Sequence, residues 1–163
     1  MTAYRLPLLL CLLLPLTATA AEAPLHQPRP DLYTAGQPSV QQLRQAAANG
    51  VTTIIDLRRP DEQRGYDEAA AAEQLGLRYV RLPIGGAADI TEANARTLDR
   101  ILKQDSGKTL LHCASGNRVG ALLALARARV DGAPIGQALQ LGRDAGLTSL
   151  EPLVRAALEQ AQP

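Results

Sequence analysis

The segment HCASGNR, His112 to Arg118, puts a thiol, a glycine and a guanidinium into one short loop. The run KTLLH precedes it and an apolar helical pattern follows. In a strand-to-helix turn of this kind several backbone N–H groups can point into one concavity, and the helix dipole adds positive charge there. That setting favours a thiolate at Cys113, and the thiolate is the nucleophilic form. Gly116 permits the left-handed backbone or close ligand approach that the turn needs. Arg118 offers a planar fork for two oxygens of a tetrahedral anion. Ser115 can bond the sulfur or a leaving oxygen, and Ala114 and Asn117 complete the candidate anion-binding loop. His112 can orient the loop or support the thiolate, although adjacent strand residues face opposite sides of a sheet. A tight turn with an inert buried thiol and a surface arginine is the plainer alternative.

If Cys113 attacks a phosphate ester, the leaving oxygen needs a proton from a carboxylic acid. Asp89 is the candidate. It follows the glycine pair Gly85-Gly86 and could swing over the site as part of a hinged loop. A solvated turn residue ahead of the next helix is an equal reading of it. Asp56, at the end of an apolar run, is expected to bond loop backbone or Arg58. Asp61 reads as part of a solvated charge run. Arg58 and Arg59 could enlarge the anion site or lie on the surface. Gln37 and Ser39 read first as turn and N-cap residues. Neither His26 nor His112 has a metal-ligand pattern around it in the sequence, so no metal and no cofactor is expected.

The first 20 residues have a different purpose. MTAYRLPLLLCLLLPLTATA carries one arginine, an apolar run and small residues ending Ala18-Thr19-Ala20. That is the pattern of a secretory signal, with cleavage expected after Ala20. An exported, periplasmic protein with no stable membrane anchor after cleavage is the expectation. Removing Arg5 brings the 17 basic side chains level with the 16 acidic ones. No basic excess would then recruit nucleic acid, and anion binding would be local. Of two cysteines only Cys113 would remain, with no partner for an internal disulfide. The expected partner is a small anionic substrate or a phosphorylated protein.

The elements that must position these residues alternate. EAPLHQPRP is a proline-rich, extended lead-in over 21–30. Ser39 can cap a helix through Ala48, stopped by Asn49-Gly50. VTTIIDL reads as a buried strand, DEAAAAEQLG as a short helix, and LRYVRLP as a second strand. Thr91 can cap a helix to about Gln104, and KTLLH is a third strand. Helices over Val119–Val130, Pro134–Ala145 and Ser149–Gln160 follow. The last carries an apolar stripe of Leu150, Leu153, Val154 and Leu158, expected to pack inward. Strand alternating with helix implies an α/β fold, a parallel sheet covered on both faces. Ligands bind beyond the carboxyl ends of such strands. Those ends are DLRR, RLPIGG and HCASGNR, which the topology brings to one edge.

His112-Cys113, Gly116 and Arg118 resemble the signature loop of the cysteine-dependent protein phosphatases, particularly the small dual-specificity type. LYTAGQPSVQQLRQAAANGVTTIIDLRRPDE resembles the bacterial phosphatase-like domain family named for its occurrence in beta-lactamase-hydrolase-like proteins. The resemblance implies a three-layer αβα domain over 31–163, with a mostly parallel sheet of four to five strands. It implies a thiophosphoryl intermediate on Cys113, Arg118 as the anion clamp and Asp89 as the acid. Two positions depart from the phosphatase pattern. Four residues separate Cys113 from Arg118, where such phosphatases have five. Val119 stands where they place Ser or Thr. The shorter loop resembles that of rhodanese-type sulfurtransferases, which would carry a persulfide on Cys113. A non-catalytic anion-binding module is the third reading.

Overall fold

The computed structural model describes residues 23–160. The expected signal segment and its cleavage point lie outside the described residues. Within them, five strands form one sheet: β1 (His26–Arg29), β2 (Leu32–Ala35), β3 (Val51–Asp56), β4 (Arg78–Arg81) and β5 (Lys108–His112). Their order is β1-β2-β5-β3-β4. Only the β1–β2 edge pair is antiparallel, and every other pairing is parallel. Six helices accompany the strands: α1 (Val40–Ala48), α2 (Glu68–Gln74), α3 (Glu92–Gln104), α4 (Asn117–Arg129), α5 (Ile135–Asp144) and α6 (Glu151–Gln160).

Strand alternation sorts the two layers of helix. Ile54 and Leu110 point to one face and pack with Leu43 and Ala46 of α1 and Ala72 of α2. Their neighbours Ile55 and Leu111 point the other way, into a core with α3, α4, α5 and α6. Helix α4 is the centre of that second layer. Val119 through Ala126 are all buried, because the helix has other helices as well as the sheet around it. Its glycine is required by this packing. A Cβ on Gly120 would sit 2.3 Å from the Leu147 amide nitrogen and 2.4 Å from the Gly142 carbonyl oxygen. The inward stripe of α6 is present, with Val154 and Leu158 buried.

Caps fall where side-chain chemistry predicts. Ser39 and Gln42 form a reciprocal capping box at α1, and such a cap contributes about 1 kcal/mol. Asp67 caps α2 and Thr91 caps α3. Two expectations need correction. The lead-in is not merely extended, because His26–Arg29 pairs with Leu32–Ala35 as a short hairpin at the sheet edge. Helix α4 begins at Asn117, two residues earlier than its apolar pattern, so Arg118 lies in its first turn. Among the described residues no helix is long and apolar enough to cross a membrane.

Candidate active site

Register places the chemistry. Asp56 at the end of β3 pairs with both His112 on β5 and Arg81 on β4, and Ala35 on β2 also pairs with His112. Four parallel strands therefore end together. The loops after β2, β3, β4 and β5 leave from one edge, as expected for a ligand site in such a sheet.

Cys113 follows β5 directly and is buried, packed in the core with Val119 and Ile84. Its Sγ accepts a hydrogen bond from the Gly116 amide at 3.1 Å. That bond needs Gly116 in the left-handed region, with φ of 85°, where a Cβ is disfavoured. Gly116 is also the N-cap of α4. It has no side chain to cap the helix, so the first amides of α4 lack intrahelical acceptors and remain available to an anion. The loop is braced from β2: the Gln37 amide donates to the Ala114 carbonyl at 3.1 Å. Ala114 and Ser115 are exposed. Asn117 has a different task from its neighbours. Its side chain donates to Ser149 Oγ at 2.7 Å and accepts from the Thr148 amide at 2.9 Å. It ties α4 to the segment before α6, so its side chain is a tether and only its backbone belongs to the loop.

Arg118 is held by a residue that sequence reasoning missed. Its two terminal nitrogens donate to Glu62 at 2.7 and 2.6 Å, and one also donates to the Ile84 carbonyl at 2.6 Å. Glu62 had been indistinguishable from the solvated acids around it, such as Asp61, which does pair with Arg59 at the surface. The fork of Arg118 is thus aimed and partly neutralised before any substrate arrives. Arg118 hydrogen bonding holds the Glu62 carboxyl down to about 2 against the opposing effect of burial. Because this value is below the ordinary 4.5, the unfolded chain takes up the proton first on acidification. The stabilisation is complete above pH 4.5 and lost as pH falls toward 2. Glu62→Gln is expected to flatten that part of the acid dependence, measured as thermal melts across the interval.

Asp89 occupies a 3-10 turn, Ala87–Asp89, and is half-buried. Its Oδ2 accepts from the Gly85 amide at 2.6 Å. One oxygen of the carboxylate is therefore engaged by its own loop, and Oδ1 is the oxygen that can carry a proton.

Behind the thiol loop lies a buried charge cluster. Asp56 Oδ1 accepts from the Arg58 amide at 2.8 Å and from Arg58 Nε at 2.9 Å. Its Oδ2 accepts from Arg58 Nη2 at 3.0 Å and from the Tyr79 hydroxyl at 2.7 Å. Arg58 Nη2 also donates to Glu68, and Glu68 Oε1 lies 2.8 Å from His112 Nε2. Asp56, Arg58 and His112 are fully buried. Burial opposes ionisation of Asp56, but the bonds from Arg58 and Tyr79 overcome it and hold the carboxyl well below the usual range. Tyr79 is pushed up to about 12 by burial and by its bond to Asp56.

This cluster changes two expectations. Arg58 does not enlarge the anion site, because it is fully buried and its Nε and Nη2 donate to Asp56 and Glu68, with Nη1 buried and unpartnered. Histidine does have carboxylate company: Asp56, Glu68 and His112 bring possible ligand atoms within 4.8 Å of one another. The donor set does not fit a metal, since Arg58 already supplies the cation between the two carboxylates.

Beside the loop is a cavity of about 460 Å³, lined by residues that include Gly36, Gln37, Ser39, Arg64 and Tyr66. Gly36 joins the two features. A Cβ there would be 3.1 Å from the Ala114 carbonyl.

A mostly parallel three-layer sheet, ending in a cysteine loop at the start of a buried helix, defines a cysteine-phosphatase-like protein. The chain belongs to the family described as "DSP-PTPase phosphatase fused to NAD+ Kinase", whose model matches residues 17–148. It is 38% identical over 105 residues to the "Beta-lactamase hydrolase-like protein" of Xylella fastidiosa strain Temecula1, covering 62% of this chain and 24% of that protein. The match thus spans about a quarter of that relative. A protein of Neisseria meningitidis Z2491 assigned as a phosphatase superposes with a TM-score of 0.71 and 26% identity, over 84% of this chain and 97% of its own. P. aeruginosa TpbA shares the fold with a TM-score of 0.66 and 23% identity, over 85% of this chain and 84% of its own.

Proposed function

We propose that the protein is a cysteine-dependent hydrolase of phosphate esters, with Cys113 as nucleophile. The observation that carries this reading is the Gly116 amide directed at Cys113 Sγ, beside an arginine in the same helix turn. A thiolate attacks phosphorus and the P–O bond to the leaving group breaks. Arg118 and the α4 amides hold the phosphoryl oxygens as charge accumulates there. Asp89, protonated at the oxygen that Gly85 does not engage, gives its proton to the leaving oxygen. Water then attacks the thiophosphoryl group, returns a proton to Asp89 and frees the sulfur. The 460 Å³ cavity beside Gly36 has room for the part of a substrate beyond its phosphate. TpbA, a protein of the same fold, has been solved in complex with pTyr, which supports a phosphorylated side chain among the substrates to test.

A second reading has its own support. Four residues, not five, separate Cys113 from Arg118, and Val119 offers no hydroxyl to the leaving thiolate. Those features suit a sulfurtransferase, in which Cys113 attacks a sulfane sulfur and keeps it as a persulfide while sulfite departs. That reaction needs no general acid, in keeping with an Asp89 engaged by Gly85. A non-catalytic anion-binding role keeps the loop and Arg118 without turnover.

The deciding experiment compares the protein and Cys113→Ser on an aryl phosphate and on thiosulfate with cyanide. The hydrolase reading expects phosphate release that falls by about 10³-fold or more in the variant. Thiocyanate formation without phosphate release would replace it with the sulfur reading. Absence of both, with phosphate still raising Tm, would leave an anion-binding module. If hydrolysis is found, Asp89→Asn should abolish the limb of the pH–rate profile that reports the acid; an unchanged profile removes Asp89 from the mechanism.

Export is part of the same proposal. N-terminal sequencing of the protein recovered from a periplasmic extract should begin at Ala21, and recovery of the intact N-terminus in the cytoplasm would refute it.

A further inference from the structure

The buried cluster contains a contact that the proposed mechanism does not use. His112 is the residue before the thiol, and its imidazole is fully buried. Its Nε2 lies 2.8 Å from Glu68 Oε1 and 3.9 Å from Asp56 Oδ1. Asp56 is saturated by donors from Arg58 and Tyr79. Glu68 is different. One oxygen serves Arg58, and Oε1, buried, has no aligned hydrogen-bond donor. Both ring nitrogens of His112 likewise lack a hydrogen-bond partner, so the 2.8 Å approach is a close contact and not an aligned bond. Two buried polar groups within contact distance, each unpartnered, are costly as they stand, and a small turn of the ring that lines Nε2–H up with the carboxylate relieves both.

We propose that Glu68 is a positioning residue for the thiol loop, acting through His112. This rests on the reading of Cys113 as the nucleophile, whatever electrophile it attacks. The physical route is short. Glu68 is the first residue of α2, packed on the opposite face of the sheet from Cys113. The His112 ring reaches that face, while its carbonyl accepts from the Leu57 amide at 2.9 Å. The imidazole is therefore anchored at its ring by α2 and at its backbone by the segment after β3. Cys113 is the next residue, with its own amide 3.4 Å from the Ala35 carbonyl. Fixing the ring fixes the plane of the peptide that delivers Cys113, and with it the angle between Sγ and the Gly116 amide. The groups facing the ring are Glu68 from α2 and Asp56 from β3. Behind them stand Arg58, Arg64, Tyr66 and, through Asp56, Tyr79. No other described element contributes a charged group to it.

The test reads the thiol itself, so it does not depend on having the right substrate. The rate of Cys113 alkylation by iodoacetamide is followed by mass spectrometry from pH 5 to 9. The set comprises the native protein, Glu68→Gln, His112→Asn, the double variant and Tyr79→Phe. Glu68→Gln and His112→Asn are each expected to slow alkylation at neutral pH by about five-fold or more, and the double variant should be no slower than His112→Asn alone. Tyr79→Phe removes another bond of the same cluster without touching His112, and should leave the rate within two-fold. Additive effects, or an unchanged rate in Glu68→Gln, overturn the inference. A loss in Tyr79→Phe equal to that in Glu68→Gln also overturns it, because the cluster would then act through stability alone. Should Glu68→Gln not fold, Glu68→Asp keeps the charge opposite Arg58 while withdrawing from His112. It is then expected to give the same slowing. If the native protein turns over neither aryl phosphate nor thiosulfate and this coupling is still observed, the functional reading fails and the inference stands.

Discussion

Arg118→Lys is expected to lower kcat/KM for an aryl phosphate by about 10²–10³-fold, the usual effect of losing one oriented donor to a developing oxyanion. The size follows from shape, since both side chains carry the same charge. Arg118 presents two parallel N–H donors from a rigid plane, and in this structure they grip the two oxygens of Glu62 at 2.7 and 2.6 Å. Nε–H and the second Nη2 hydrogen, the remaining parallel pair of the same plane, are the donors left for two oxygens of a phosphoryl group. An ammonium can satisfy only one of them and does not fix the other. The bond to the Ile84 carbonyl adds a second constraint that lysine cannot copy without leaving Glu62. Steady-state kinetics on the native protein and Arg118→Lys check this, with thermal melts run in parallel. A change below ten-fold would mean that the α4 amides bind the anion without the arginine. Should the protein prove a sulfurtransferase, the same comparison applies with thiosulfate, another tetrahedral anion.

Arg58→Met is expected to cost about 3–5 kcal/mol of stability, the range for removing one member of a buried ion network. For a domain of this size that is a fall in Tm of roughly 10 °C or more. The side chain is close in length, so lost packing is not the main effect. What remains is Asp56 and Glu68, both buried, with their common cation gone. Tyr79 still donates to Asp56, but one neutral hydrogen bond does not replace a guanidinium. Burial would then act on Asp56 against the Tyr79 hydroxyl, the neighbouring His112 and the Arg64 guanidinium 3.5 Å away, and its carboxyl should rise from its depressed value. The acid dependence contributed by this residue should therefore shrink. In the native protein the depressed carboxyl contributes stability that is lost on acidification. In Arg58→Met the folded and unfolded carboxyls would titrate closer together, and less stability would be lost as pH falls. Melts of both proteins from pH 2 to 8 test this directly. Parallel curves would mean that water or another donor reaches Asp56 once Arg58 is gone.

These two arginines take opposite places in the molecule. Arg118 was legible as an anion clamp because its neighbours in sequence define a loop and a helix start. Arg58 sits in RRPDEQR, a stretch whose local composition reads as solvated. It is fully buried because β3 delivers it against α2, and that meeting depends on packing between distant segments. Glu62 and Glu68 were missed for the same reason. Each is one acid among several, and each takes its role from a partner contributed by β5 or by the turn after it. The β1–β2 hairpin was missed because four-residue strands carry little periodic signal, and a proline in β1 argues against a strand except at an edge.

The sequence by itself determined the α/β alternation, the caps of α1, α2 and α3, and the thiol loop. Those features rest on interactions within a few residues: side chain to nearby amide, apolar spacing along one element, and a glycine where the backbone turns left-handed. Tertiary structure decided which charges are buried, which acid orients Arg118, and how the residue before Cys113 is braced. Those outcomes depend on desolvation and close ion pairing. Both arise only when segments far apart in the chain exclude water from one another.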